Sequence, residues 1–235
     1  MNRIVAAGRY ESLPVTGERQ NLKDMIATVI RSAIFSGELR PGEKINQDEL
    51  AEHLRVSKIP IREALVTLEA EGLIENVPRR GAFVSALSPD DVIDHFSVVG
   101  LVSGALAARA TARIEPAQID HMREVVEAMR GERDPGRFDG LNEDFHRTLN
   151  RAARARRLSS VLVLLIKSMP SDFYHHAPAW LDAALDQHIG ILRAIEARDP
   201  EAVAERVKEH FRDAGTEAVT VLANSGFWAD ELPAH

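Results

Sequence analysis

The segment from Pro41 to Val84 constrains the fold of this chain most strongly, because it holds two helix-length apolar patterns joined by a short turn. Asn46 and Ser57 stand at the starts of the two patterns, where short polar side chains satisfy free backbone N–H groups. Glu49 comes three residues after Asn46, as in a capping box. Pro60 falls in the first turn of the second pattern, where a missing N–H is no loss. The segment therefore predicts two consecutive helices.

A tight basic turn follows the second of these helices. The sequence Pro78-Arg79-Arg80-Gly81 separates two apolar runs, 74–77 and 82–84, that are too short for helices and indicate a β-hairpin. An earlier helix is predicted from Leu22, with apolar residues at helical spacing and Gly37 at its end. Three helices followed by a hairpin are typical of a winged helix-turn-helix, which presents its last helix (the recognition helix) to the major groove of DNA.

Several residues of this pattern are candidates for contacting DNA. They are Ser57, Lys58, Pro60 and Arg62 at the start of the recognition helix, and Arg79, Arg80 and Gly81 in the turn. Lys58 and Arg62 share one helix face, and basic side chains in these first turns suit base edges. The arginines of the turn suit phosphates or the minor groove, and the glycine permits a tight turn. Each basic residue taken singly also fits a solvated surface, but the complete pattern favours DNA contact.

The charge balance is unusual for a protein that binds nucleic acid. The formal net charge is −7, and residues 21–88 carry nine Lys and Arg against ten Asp and Glu. DNA binding must therefore depend on the local placement of cations, and it should be salt-sensitive and weak for a single copy. This favours a homodimer that presents two recognition helices.

A second helix start divides the chain. Ser88-Pro89-Asp90-Asp91 combines a capping serine, a proline at the first helical position and an acid three residues after the cap. We expect a flexible tail at 1–20, a DNA-binding domain at 21–87, a second domain at 88–225 and a C-terminal tail at 226–235. The second domain is predicted to form helices near 89–113, 117–130, 137–153, 157–169, 180–198 and 200–224. The expected fold is mainly α: a winged helix-turn-helix with a small β-hairpin wing, followed by an all-α six-helix bundle.

Composition excludes several other classes of protein. The chain has no cysteine, so it has neither a disulfide scaffold nor a thiolate metal site. Its longest apolar run, 161–166, falls well short of the ~18 residues that span a bilayer. The first residues contain no secretory apolar region. We expect a cytoplasmic protein with no membrane partner.

Three histidines continue the apolar faces of separate predicted helices. They are His146, His188 and His210. Inward histidines on three helices can converge in a bundle core and bind a divalent metal. The alternative for each one alone is a hydrogen-bonded core histidine. The remaining histidines lack this pattern; they are His53, His95, His121, His175, His176 and His235. Of these, His175 and His176 are predicted to lie in a loop, from which they could reach a pocket.

The N-terminal segment resembles the DNA-binding domain of the GntR family of bacterial transcription regulators. The shared frame runs through VSKIPIREAL, LEAEGLI and PRRGAFV, over about sixty residues. The resemblance implies that Ser57, Lys58, Arg62 and Gly81 approach the operator. The family more often has arginine where this chain has Lys58, and lysine lacks the bidentate fork of arginine, so the base preference is expected to differ.

The C-terminal half is similar to the FCD effector domain of the FadR subfamily. The matching segments begin at Asn142-Glu143-Asp144-Phe145-His146, at Asp186-Gln187-His188 and at the His210 end. In metal-containing members an aspartate and three histidines bind a divalent ion, and Asn142 stands at the aspartate position. An amide oxygen carries no charge, so a Zn, Ni or Mn ion is expected to bind more weakly. Asp144 is nearly on the opposite helix face and cannot replace it.

The first helix of this second domain departs from the family. Members often have an arginine and a glutamate there, near the effector pocket, whereas this chain has Gly100 and Gly104. Either a larger ligand uses the space, which would make both glycines part of an effector pocket, or a neighbouring helix packs closer.

The function predicted from these features is a DNA-binding transcription regulator of repressor type. A homodimer would bind a double-stranded operator with an inverted repeat. A small metabolite, expected to be a carboxylate held through the metal, would shift the dimer between two arrangements. A metal-free ligand pocket is the alternative. A DNA-tethered metalloenzyme is less well supported, because Glu143-x-x-His146 has no second copy and no hydrolase or phosphate-binding motif occurs. A helical domain that only dimerises would have little use for three inward histidines.

Overall fold

The computed structural model describes residues 22–168 and 178–228. The predicted tail at 1–20, His175, His176 and His235 lie outside the described residues. Two compact units are present: the described residues up to Leu87 together with those from Leu222, and Ser88–Val221.

The first unit is a winged helix-turn-helix, which confirms the predicted fold. Its elements are α1 (Leu22–Phe35), α2 (Gln47–Leu54), α3 (Lys58–Ala70), β1 (Ile74–Val77) and β2 (Gly81–Val84). The two strands pair antiparallel, from Ile74 opposite Val84 to Val77 opposite Gly81. Apolar side chains spaced three and four apart on α1 and α3, such as Ile30 and Ile61, are fully buried between the helices. The packing against α1 therefore fixes the orientation of α3, and the face of α3 away from α1 is exposed to solvent.

A buried ion pair also joins α1 to the end of α3. The Arg31 guanidinium donates to both carboxylate oxygens of Glu71, with Nε to Oε2 at 3.1 Å and Nη2 to Oε1 at 2.8 Å. Both side chains are largely excluded from solvent, at 7% and 13% exposure. Two parallel hydrogen bonds fix the geometry of the pair as well as its charge balance, so the C-terminal end of α3 is held against α1.

Two aromatic residues that follow the last helix of the chain's described part pack within this first unit. Phe227 is buried and stacks on Phe35 at a ring-centroid distance of 6.3 Å. The Trp228 indole N–H donates to the Leu87 carbonyl oxygen at 2.6 Å. Phe227 and Trp228 of the predicted C-terminal tail therefore pack against residues of the first unit. The rest of that tail lies outside the described residues.

The second unit is all-α, as predicted. Its described helices are α4 (Pro89–Thr111), α5 (Pro116–Met129), α6 (Pro135–Ala152), α7 (Arg156–Lys167), α8 (Pro178–Glu196) and α9 (Pro200–Asn224), whose last residues belong to the first unit. Ser88 and Asp91 form a complete capping box: the Asp91 N–H donates to Ser88 Oγ, and the Ser88 N–H donates to Asp91 Oδ2. These hydrogen bonds lower the pKa of Asp91, and they start α4 at the predicted residue.

Helix α4 is the one described helix that is long and apolar enough to cross a membrane. Its buried residues include Phe96, Leu106 and Ala107, which face the other helices of the unit. Core helices of helical bundles share this length and composition, and the packing of α4 accounts for its apolar face.

Candidate DNA-binding surface and histidine cluster

A concave surface lies between the start of α2, the start of α3 and the hairpin. Its volume is about 590 Å³. Its lining includes the basic residues Lys44, Lys58, Arg62, Arg79 and Arg80, the acidic residues Glu43, Asp48 and Glu49, and Gly81. The structure thus places the basic residues expected to contact DNA around one surface, although they come from two separate elements. Cations still outnumber acids here, whereas the domain as a whole is nearly neutral.

The start of α3 differs in detail from the prediction. Ser57 occupies the cap position with extended backbone, but its side chain makes no capping hydrogen bond, so its hydroxyl remains available to another partner. Pro60 lies in the first turn, as predicted. At the start of α2, Asn46 Oδ1 accepts from the backbone N–H groups of Asp48 and Glu49, which caps that helix.

The tip of the hairpin has a strained backbone. The turn is closed by the Arg80 N–H donating to the Val77 carbonyl at 3.0 Å. Gly81 has φ of 105°, and Arg79 has φ of 65°, in the left-handed region that non-glycine residues seldom occupy. The Arg80 guanidinium carbon lies 5.3 Å from the centroid of the Phe83 ring, within range of a cation–π contact. The two arginines of the tip therefore differ: Arg79 has a left-handed backbone conformation, and the Arg80 guanidinium lies near an aromatic ring.

An exposed isoleucine on α3 was missed by sequence reasoning. Ile59 is 68% exposed in the first turn of the recognition helix, between Lys58 and Arg62 in sequence. A large apolar side chain at that position offers a surface to the methyl group of thymine in the major groove. A helical wheel centred on the buried face of α3 would have revealed it.

In the second unit, three histidines converge from three helices. His146 of α6, His188 of α8 and His210 of α9 have candidate ligand nitrogens within 4.8 Å of one another. His146 Nε2 lies 3.3 Å from both His188 Nε2 and His210 Nε2. His188 and His210 are buried, and His146 is partly exposed. The predicted convergence is therefore present.

Hydrogen bonds on the opposite ring nitrogens determine the tautomers. His188 Nδ1 lies 2.5 Å from the Ala184 carbonyl oxygen, which can only accept, so Nδ1 carries the proton. His210 Nδ1 lies 2.8 Å from Gln187 Oε1, and the Gln187 amide donates to Asp213 Oδ2 at 2.8 Å. Since a carboxylate only accepts, Asp213 orients the amide oxygen towards the histidine. Both rings consequently direct an unprotonated Nε2 at His146.

Burial keeps this cluster uncharged. Removal from water lowers the pKa of His188 to about 4, and an opposing contribution comes from the hydrogen bond to Ala184. Desolvation, with the charge of His188 as a second cause, lowers the pKa of His146 to about 3. Desolvation also lowers the pKa of His210, followed by the charges of the other two histidines. Neutral imidazole is the form that binds a metal.

Aromatic side chains surround the cluster. The Phe145 ring meets His188 edge-on at 4.7 Å between centroids, Phe211 lies 5.3 Å from His146, and Trp180 lies 6.0 Å from His210. This apolar lining raises the cost of leaving the nitrogen lone pairs without a partner.

The polar neighbours of His146 on α6 divide between two helix faces. Asn142 is half-buried one turn before His146, on the same face. Asp144 accepts from His121 at 2.8 Å and from Arg147 at 2.8 Å, so it faces away from the cluster, as predicted. Glu143 is 74% exposed and pairs with Arg147. The Glu-x-x-His spacing therefore does not bring a carboxylate to the cluster.

Comparison with known proteins identifies both units. The model of the bacterial regulatory proteins of the gntR family matches residues 22–84, and the model of the FCD domain matches residues 94–213. The chain belongs to the GntR family. Its function is therefore DNA-binding transcription regulation, and it is not an enzyme.

Relatives of this GntR protein match it over most of their length. It is 29% identical over 180 residues to an uncharacterised HTH-type transcriptional regulator of Mycobacterium tuberculosis, covering 77% of this chain and 74% of the relative. It is 23% identical over 219 residues to the HTH-type transcriptional repressor RspR of Escherichia coli, covering 90% and 95%. The solved structure of E. coli McbR/YncC has the same fold, with a TM-score of 0.62 at 19% identity over 85% of this chain and 97% of that one.

Gly100 and Gly104 are packing positions in this GntR protein. A Cβ atom added to Gly100 would lie 3.2 Å from Phe211 Cβ, and one added to Gly104 would lie 2.9 Å from the Ala204 carbonyl oxygen. Helix α9 therefore occupies the space beside both glycines. Of the two alternatives from sequence, the structure has the closer helix packing, and the assignment of these glycines to an effector pocket is corrected.

We predict that Gly104→Ala destabilises the second unit by about 1–3 kcal/mol, because the new methyl group has to displace the α9 backbone. Gly140 of α6 has no atom within 4 Å of its hypothetical Cβ, so Gly140→Ala is the matched control and should stabilise by roughly 0.5–1 kcal/mol. Thermal and denaturant unfolding would measure both. Equal responses of the two variants would contradict the packing role.

Proposed function

We propose that this regulator is a homodimeric repressor whose FCD domain binds a small metabolite, a carboxylate, through a divalent metal ion. The observation that carries the proposal is the convergence of three histidine nitrogens in an aromatic setting. The metabolite would bind one arrangement of the dimer more tightly than the other, and this difference would lower or raise the affinity for the operator. The regulator is proposed to act in the cytoplasm, where its DNA operator would be located.

The chemistry of the histidine cluster fits a metal ion. His146 Nε2 carries at most one proton and can donate to only one neighbour, so at least one adjacent nitrogen lone pair is left facing another at short range. A cation would accept all three lone pairs at once. Asn142 is proposed as a fourth, uncharged ligand from the same face of α6. Three imidazoles and an amide favour Zn, Ni or Mn, and such a set leaves positions for a metabolite.

A polar metabolite is also supported by α4. Within the described residues, Ser103 Oγ is the one buried side-chain polar atom without a hydrogen-bond partner. Buried hydroxyl groups are normally satisfied, so Ser103 is a candidate contact for the metabolite. A bound metal would attract the carboxylate of the ligand as a charge and as a Lewis acid. If no metal is bound, a metal-free pocket is the second candidate.

The DNA contacts are proposed from the concave surface of the first unit. Lys58 and Arg62 would reach base edges, with Ser57 and Pro60 in the same turn, while Arg79 and Arg80 would contact phosphates or the minor groove beside Gly81. The repressor role is supported by the likeness to RspR, which is named a repressor. The operator is proposed to be an inverted repeat, because a two-fold dimer presents two equivalent recognition helices.

Exposed apolar residues on two packed helices support the dimer. Helices α4 and α7 contact each other, and large apolar side chains remain exposed on both. They are Val98 and Leu101 on α4, and Val161, Val163, Leu164 and Ile166 on α7. Clustered exposed apolar side chains mark interaction surfaces. We propose a second copy of the chain as the occupant, since an isologous contact would also pair the two DNA-binding units.

We predict that the freshly purified protein carries a divalent ion that a chelator removes. His188→Ala should abolish rebinding of Zn²⁺, and Gln187→Leu should weaken it about 10–100-fold, because His210 loses the partner that orients it. His121→Ala is the control, since His121 pairs with Asp144 on the outer face. Native mass spectrometry and calorimetric titration would measure these. A wild type that binds no Zn²⁺, Ni²⁺ or Mn²⁺ would leave the metal-free pocket as the better proposal.

We predict that Arg62→Ala lowers operator affinity by about 1–3 kcal/mol and relaxes base preference, whereas Arg79→Ala weakens binding to all sequences and reduces its salt dependence. Fluorescence anisotropy at several salt concentrations would distinguish the two effects. Loss of sequence preference in the Arg79→Ala protein alone would contradict the assignment.

We predict that Leu164→Glu converts the dimer to a monomer, because it introduces a charge into the apolar surface of α7. Val66 of α3 is similarly exposed, at 62% against 70% for Leu164, so Val66→Glu is the matched control and should remain dimeric. Sedimentation analysis would measure both. A dimeric Leu164→Glu protein would place the interface elsewhere.

A further inference from the structure

An acidic residue lies beside the recognition helix on the surface proposed to bind DNA. Asp48 lies in the first turn of α2 and Lys58 is the first residue of α3, and both line the concave surface. Their side chains form an ion pair while remaining 73% and 50% exposed, respectively. Of the four basic side chains assigned to DNA, Lys58 is the one with an ion pair within the described residues.

The pair has little to contribute to the stability of the fold. Exposed ion pairs of this kind are worth little, because water screens the charges and two side chains lose freedom. The helix dipole at the start of α2 is already complemented by Glu49 in the same turn. A carboxylate on this surface also repels DNA phosphates. What the Asp48 carboxylate can still do on this surface is accept a hydrogen bond from a donor group in the major groove.

The chemistry of the two groups matches one type of base pair. The Lys58 ammonium only donates, and the Asp48 carboxylate only accepts. In the major groove, guanine offers the acceptors O6 and N7, and its paired cytosine offers the adjacent N4 amino donor. Lysine to guanine and an acid to cytosine are the established pairings for these side chains. Adenine is instead read by an amide, which donates and accepts within one group.

We propose that Asp48 and Lys58 jointly read one G·C base pair of the operator, with Asp48 accepting from cytosine N4 and Lys58 donating to guanine. The proposal rests on the docking of α3 in the major groove. In the free protein the ion pair already brings the two side chains next to each other on this surface. Asp48 is thereby a specificity residue from α2, outside the recognition helix.

Selection from a random double-stranded DNA library tests the proposal, followed by anisotropy titrations on the selected sequence at fixed salt. The wild type should select a G·C pair whose replacement by A·T lowers affinity about tenfold or more. Asp48→Asn, which keeps the shape and removes the charge, should lose most of this preference at that pair and keep the others. Lys58→Met should lose the preference at the same pair.

Glu49→Gln is the matched control, because Glu49 lies in the same turn and on the same surface and changes charge equally. It should retain the wild-type preference. The proposal is overturned if Asp48→Asn tightens binding to all sequences and preserves every base preference, since Asp48 then only repels phosphates. It is also overturned if Glu49→Gln behaves like Asp48→Asn. Failure of the wild type to enrich any sequence would instead refute sequence-specific docking itself.

Discussion

The close approach of α4 and α9 is the packing constraint on which the histidine cluster depends. Neither Gly100 nor Gly104 leaves room for a side chain, because Phe211 and the Ala204 carbonyl occupy the adjacent positions. Phe211 is next to His210 in sequence and also contacts His146. The contact with α4 therefore fixes the axial position and the rotation of α9, and so the position of His210 relative to the other two histidines. An arginine and a glutamate on α4 would push α9 away and separate the histidines.

The two candidate sites, the concave surface and the histidine cluster, each contain charges or lone pairs that are not fully paired. On the first unit, the concave surface keeps more cations than acids although the domain is nearly neutral. In the second unit, the buried imidazoles of His188 and His210 direct nitrogen lone pairs at the partly exposed His146. Neither arrangement is favourable by itself. Each is maintained by packing around it, including the Arg31–Glu71 pair in the first unit and the aromatic ring contacts in the second.

Local chemistry was sufficient to predict most of the fold. Capping residues and prolines gave the starts of the helices within a few positions, as at Ser88, and apolar periodicity on separate helices predicted that the three histidines converge. The details that sequence missed depend on tertiary contacts. The Asp48–Lys58 pair joins two different helices, the Gln187 amide is oriented by Asp213 of α9, and a glycine has no side chain to show whether space beside it is open or filled.

The packing of Phe227 and Trp228 makes the DNA-binding unit discontinuous in sequence. Its fold is completed by residues that follow the whole helical unit in the sequence. A fragment ending at Leu87 would leave the Phe35 ring and the Leu87 carbonyl without the partners they have in the full chain. The two units are consequently not exchangeable modules. A recombination event that joins this winged helix to another effector domain would have to supply a substitute for those two aromatic residues.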